Sequence, residues 1–177
     1  RTSLEELIEV GTVSPVMASF LAAAVRARLS TVVTGGQGDG KTTMLRALCA
    51  EIDPDEVIGV FETERELGLE RMTDQHRVVF SWEERPGSGE LGSHGRPVNQ
   101  YSLQQEMRDS FRMILSRQIV GEVRGPEVAQ MIMAMESGSG SMSTTHAQSA
   151  WQAMEKLISC AVQSGEFSRE SAVMKLA

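Results

Sequence analysis

The chain is expected to fold as an α/β domain, with a mostly parallel sheet covered by helices on both faces. Three observations carry that expectation. Short runs rich in β-branched and apolar residues recur along the chain, and helical periodicities separate them. Strands alternating with helices favour parallel pairing, because each crossover lays a helix on the sheet. The 177 residues, 41% of them apolar, suffice for one domain with a single sizeable core.

Each element has its own signal. Ser3-Leu4-Glu5-Glu6 reads as a capping box opening a short helix to about Val10. Ser14-Pro15 starts a second helix with proline in its first turn. Val16, Phe20 and Ala24, with Met17, Leu21 and Val25, give that helix an apolar stripe. Thr31–Thr34 is a strand running into glycines. Lys41–Ala50 is a helix with Met44, Leu45 and Leu48 inward. Val57–Phe61 and Val78–Trp82 are the next strands, and Glu83–Asn99 is a Gly/Pro/Ser-rich mobile surface loop or small excursion. Leu103, Met107, Phe111 and Leu115 recur every four residues and predict a helix over Ser102–Leu115. Gln118–Val120 is a strand, and Pro126 opens a helix through Met135, broken by Ser137-Gly138-Ser139-Gly140. Met142–Thr145 is the last strand. Ser149 caps a helix carrying Met154, Leu157, Ile158 and Ala161, and a final helix begins near Ser168.

Composition narrows the function classes. The net charge of -7 disfavours a nucleic-acid binder, since phosphate backbones select basic surfaces. Cys49 and Cys160 stand in helical apolar surroundings and read as buried thiols, without the ligand spacing of a zinc site. No apolar run is long enough for a membrane span, and no signal peptide opens the chain. The first residue is Arg1 rather than Met, so the chain reads as part of something longer.

The strongest chemical signal is Gly35-Gly36-Gln37-Gly38-Asp39-Gly40-Lys41-Thr42, which satisfies G-x-x-x-x-G-K-[ST] between a strand and a helix. Glycines let backbone N–H groups curl around a phosphate without Cβ clashes. The following helix aims its positive N-terminus at the anion. Lys41 would reach the β- and γ-phosphates of ATP, the Thr42 hydroxyl would ligate Mg²⁺, and Thr43 completes the cradle. Hydrolysis further needs acids at neighbouring strand ends. Glu62 and Glu122 occupy such places; each could otherwise be a solvated acid. His146 ends the strand Ser143-Thr144-Thr145, where an imidazole could donate to the γ-phosphate and report its presence. His76 and His94 fall in polar loops and receive no role.

Taken in order, the Gly35–Thr43 cradle, Glu62, Ile119-Val120-Gly121-Glu122-Val123-Arg124-Gly125 and Ser143-Thr144-Thr145-His146-Ala147 form a specific combination. Together they resemble the C-terminal motor domain of the type II/type IV secretion and pilus ATPase superfamily, in the branch serving tight-adherence pili and conjugative or type IV secretion machines. The resemblance covers nearly the whole chain. It implies a RecA-like P-loop fold for residues 1–177, with leading helices over 1–29 and without the family's N-terminal domain. It also implies that Glu122 is the Walker B acid holding the Mg²⁺ shell. Glu62 then positions or activates the attacking water, with Glu66 assisting, and His146 is the His-box residue. Arg85, in Glu84-Arg85-Pro86, would neutralise phosphate charge within the subunit or across an interface. Arg124 matches a family position but reads equally as a structural ion pair.

By the same resemblance the partners are further copies in a homohexamer and inner-membrane platform or secretion-channel proteins. The place of work is cytoplasmic, peripheral at the inner face of the cell membrane. Two departures stand out. Ile114 replaces a family arginine, so a cation expected near the phosphates is missing, and Thr63 stands where aspartate is common. The leading expectation is an ATPase powering secretion or pilus assembly, weak as an isolated fragment. The alternatives are a nucleotide-binding assembly module with little or no hydrolysis, favoured by Ile114 and Thr63, and a RecA-like nucleic-acid motor, disfavoured by charge.

Overall fold

All five expected strands form, and in the computed structural model they lie side by side in one direction. Residues 2–92, 95 and 97–176 are described. The strands are β1 (Thr31–Gly35), β2 (Val57–Glu62), β3 (Val78–Glu83), β4 (Arg117–Val120) and β5 (Met142–His146). They join in the order β1-β5-β4-β2-β3, every neighbouring pair parallel. The register sets Gly35 opposite His146, and Phe61 opposite Val120. The C-terminal ends of β1, β5, β4 and β2 therefore share one edge of the sheet.

The period of two along each strand divides the core between two faces. Ile58 and Val60 of β2, Ile119 of β4 and Val33 of β1 pack on one side. They meet α1 (Leu4–Glu9), α2 (Pro15–Arg26) and α3 (Lys41–Cys49), through Leu7, Val25, Leu45 and Leu48 among others. Phe61, Val120 and Val32 face the other side. There they meet α4 (Leu103–Ser110), α5 (Val128–Glu136), α6 (Ala150–Gln163) and α7 (Arg169–Leu176). Ser3, Ser14, Ser102 and Ser149 each accept a backbone N–H at their helix N-cap, as the sequence indicates. Among the described residues no helix is long and apolar enough to cross a membrane.

Four expectations need correction. The helix over Ser102–Leu115 stops at Ser110. Ser116 must meet the start of β2, where its N–H donates to Val57 O and its Oγ accepts from Val57 N–H, so the chain turns early. The turn holds Ile114 at φ +50°, 91% exposed. α5 begins at Val128 rather than Pro126, because the Glu127 carboxylate accepts the Arg124 and Gly125 N–H groups and holds a tight turn there. The apolar stripe of α2 does not all face inward: Ala18 and Val25 are buried, while Val16, Met17 and Phe20 are exposed. His76, read as a polar-loop residue, is buried; His94 lies outside the described residues.

Beyond β3 the chain makes an excursion. Arg85 pairs with Tyr101, and Leu91 with Pro97, in antiparallel bridges that bring it back to α4. At the opposite edge of the sheet, where β4 begins, the Arg117 guanidinium is fully buried. Its Nε and Nη2 donate to Glu56 at 2.8 and 3.0 Å, and Nη2 also donates to Val25 O at 2.7 Å.

Candidate functional site

The glycine-rich loop leaves β1 at Gly35 and enters α3 at Lys41. Gly38 and Gly40 hold φ of +83° and +82°, a conformation that side chains with a Cβ rarely adopt. Gly40 caps α3 without a side-chain hydrogen bond, so the helix offers its first N–H groups to an anion. Within the loop, Gly36 N–H donates to Asp39 Oδ2 at 2.6 Å. Lys41 Nζ donates to Gly36 O at 2.6 Å and lies 3.3 Å from His146 Nδ1. Thr42 Oγ1 donates to Glu66 Oε2 at 3.3 Å.

Glu62 ends β2 and is 2% exposed. Its Oε1 accepts the Glu66 and Leu67 N–H groups at 3.0 and 2.9 Å, while Oε2 has no hydrogen-bond partner among the described residues. Burial pushes the Glu62 carboxyl above the usual carboxylate range, against those two N–H groups and with the charges of Glu70 and Glu66. Such a group is primed to accept a proton.

Glu122 sits just past β4 in the opposite electrostatic setting. Burial alone would raise its pKa. The Arg124 guanidinium at 2.6 Å, with His146 and Lys156 nearby, outweighs burial and holds it below the usual range. His146 Nε2 stands 3.1 Å from Glu122 Oε1. Since the Lys41 ammonium can only donate, His146 Nδ1 is the acceptor there and the ring proton sits on Nε2. Thr144 Oγ1 donates to Gly121 O at 2.7 Å and Thr145 Oγ1 to Val123 O at 3.0 Å, so β5 fixes the turn that carries Glu122.

Lys41, Thr42, Glu62, Glu122, Arg124 and His146 line one cleft of about 310 Å³, together with Gln37 and Gly38. A second hollow of about 350 Å³ continues past the loop, sharing Gly38 and Lys41 and walled by Leu7, Thr12, Thr43 and Met44. Arg85 is not among the cleft residues; it lies past the far edge strand, hydrogen-bonded through its backbone to Tyr101. Ile114 precedes β4 at the opposite edge of the sheet, so the expectation of a cation beside the phosphates at that position does not hold within one chain. Two contributors had no clear signal in the sequence. Arg46 on α3 binds the Glu66 and Leu67 carbonyls, and Lys156 on α6 donates to His146 O at 3.2 Å. Arg124, named in the sequence two residues from a strand-end acid, joins Glu122 in the cleft wall.

The donors suit a nucleotide. Glu62, with an oxygen that has no hydrogen-bond partner among the described residues, Thr42, with its hydroxyl, and Lys41 line one space at the start of α3. Among the described residues no cluster of three or more His, Cys, Asp or Glu side chains forms a metal cage by itself.

Known proteins resemble this chain along nearly its full length. The family model for type II/IV secretion system proteins matches residues 1–176. A Mycobacterium tuberculosis protein named for conjugal transfer, Rv3659c, is 35% identical over 145 residues, 81% of this chain and 38% of its own length. The type IV secretion system protein PtlH of Bordetella pertussis is 35% identical over 139 residues, 78% of this chain and 38% of its own. The crystal structure of the VirB11 ATPase from the Brucella suis type IV secretion system, in complex with sulphate, aligns with a TM-score of 0.75 and 28% identity. That alignment covers 98% of this chain and 48% of that one. The chain thus spans 38% of the length of the first two relatives.

Proposed function

The chain belongs to the type II/IV secretion system protein family, and we propose that it is the ATP-binding and hydrolysing motor part of a secretion or pilus-assembly ATPase. The observation that carries this reading is the convergence of Lys41, Thr42, Glu62, Glu122 and His146 on one cleft at the C-terminal edge of a parallel sheet. Lys41 turns from Gly36 O and His146 to the β- and γ-phosphates of ATP. Thr42 and Glu122 would hold Mg²⁺ against the phosphates. The ion, when bound, neutralises phosphate charge as it develops. Glu62 Oε2, the oxygen without a partner, accepts the proton of the attacking water. The water oxygen bonds to the γ-phosphorus as the bond to the β–γ bridging oxygen breaks. His146, freed from Lys41, answers the γ-phosphate. The nucleoside seats in the second hollow, between the α1–α2 turn and the first turn of α3.

The whole protein works as a homohexamer on the cytoplasmic side of a membrane, passing motion to a platform or channel. Arg85 would complete a neighbour's site. Its position outside the cleft favours a second reading: a nucleotide-binding assembly module with little or no hydrolysis. ATP turnover by the full protein tests the main reading. Lys41→Ala should abolish nucleotide binding. Glu122→Gln should lower kcat by roughly a hundredfold or more while ADP still binds. Undiminished turnover in both variants sinks the proposal; ADP binding by the wild-type full protein without turnover selects the second reading.

A further inference from the structure

Arg46 lines neither the cleft nor the second hollow, yet one peptide unit joins it to Glu62. It lies in α3, and its Nη2 donates to the Glu66 carbonyl while Nε donates to the Leu67 carbonyl at 3.0 Å. The other end of the Glu66–Leu67 peptide is the Leu67 N–H, which donates to Glu62 Oε1 at 2.9 Å. Guanidinium, peptide dipole and carboxylate therefore stand in series. Hydrogen bonds linked this way polarise one another, and the two outer members are charged.

From this geometry we infer that Arg46 is a positioning residue for Glu62: it clamps the Glu66–Leu67 peptide so that Glu62 Oε1 is held and Oε2 is left without a bond of its own. The inference rests on Glu62 acting on the attacking water. The clamp has a second property. Arg46 belongs to the helix that begins at Lys41, so one rigid element sets both where the phosphates lie and where the acid stands. Other groups around Glu62 do not do this. Glu66 and Glu70 repel it, and the Cys49 thiol beside it is buried and neutral, its pKa raised by burial.

Arg46→Gln and Arg46→Lys in the full protein test the clamp. Arg46→Gln should lower kcat roughly ten- to a hundredfold, as expected when a reacting group loses its placement, with the ADP dissociation constant unchanged. Arg46→Lys should recover part of the rate, because an ammonium serves only as a point donor. In a Glu62→Gln background, Arg46→Gln should cost nothing further. An equal loss in both backgrounds, or no loss in either, overturns the proposal. The Leu67 amide proton resonance decides independently of catalysis: it should move upfield in Arg46→Gln, and an unmoved resonance overturns the proposal whatever the rates. A wild-type protein that binds no nucleotide would sink the nucleotide reading, while that resonance would still decide this one.

Discussion

Strand β4 carries an Arg–Glu pair at each end, and burial alone separates their roles. At the strand's first residue, the Arg117 side chain is 0% exposed and bound to Glu56 and to Val25 O. Just past its last residue, Arg124 binds Glu122 at 2.6 Å with 65% of its side chain exposed. The buried pair has no water to replace a lost partner, so it fastens β4 to β2 and to the end of α2. The exposed pair can exchange its partner for solvent or phosphate at little cost. Similar pairs, their arginines seven residues apart on either side of one short strand, make a fixture at one edge and an exchangeable contact at the other.

The largest expected effect tests the fixture. Arg117→Ala leaves Glu56, among the described residues, with the half-exposed Arg28, 3.3 Å away, and should cost about 3–5 kcal/mol in urea unfolding. The double variant Arg117→Met, Glu56→Leu should recover most of that loss, because an apolar pair needs no compensating charge. A loss below about 1 kcal/mol in Arg117→Ala would erase the contrast.

Next comes a buried carboxyl with no arginine bound to it. Glu106 is 1% exposed, and Oε2 has no hydrogen-bond partner among the described residues. Burial, then the charge of Glu84, push its pKa up to about 7, against the opposing charge of Arg85. The folded state therefore holds a proton that the unfolded chain releases near 4.5, and stability falls as pH rises from there to about 7. Glu106→Gln should raise the melting temperature by roughly 5 °C at pH 8 and leave it unchanged near pH 4. An equal rise at both values would mean that burial of the charge is not what costs stability.

Smaller effects follow. Ile114, a β-branched residue at φ +50° on the approach to Arg117, is strained. Ile114→Gly should gain about 0.5–1 kcal/mol, the relief of strain exceeding the entropy of the freed backbone. A loss would mean that Ile114 makes packing contacts despite its exposure. Arg124→Gln should change unfolding stability by about 0.5 kcal/mol or less, with its consequence read in ATP turnover instead. A loss as large as that of Arg117→Ala would make the two pairs equivalent.

Local signals led to most of the fold and half of the site. The five strands were legible to within a residue or so, because β-branched runs ended at glycines or polar turns. The glycine-rich loop, Glu62, Glu122 and His146 were legible because strand-end positions in an alternating α/β chain fall on one edge. The helix before β4 was overextended because periodicity continues through Phe111 and Leu115, while the stopping force is the pairing of Ser116 with Val57, a partner distant in sequence. The outward face of α2 misled for a similar reason: ten of its twelve residues are apolar or proline, so no stripe could be oriented from pattern. Arg46 and Arg117 were invisible, since their partners are backbone carbonyls or an acid far along the chain.

Gly121 bears on how the two acids can vary. A Cβ at this position would come within 2.9 Å of Glu62 Cγ, on the neighbouring strand. The glycine directly before Glu122 thus keeps open the place where Glu62 stands. Even alanine at 121 should displace Glu62, so a substitution scan would record there a defect of β2 under a β4 address. The acids on β2 and β4 are therefore not free to drift separately: the bare backbone beside one is the room of the other.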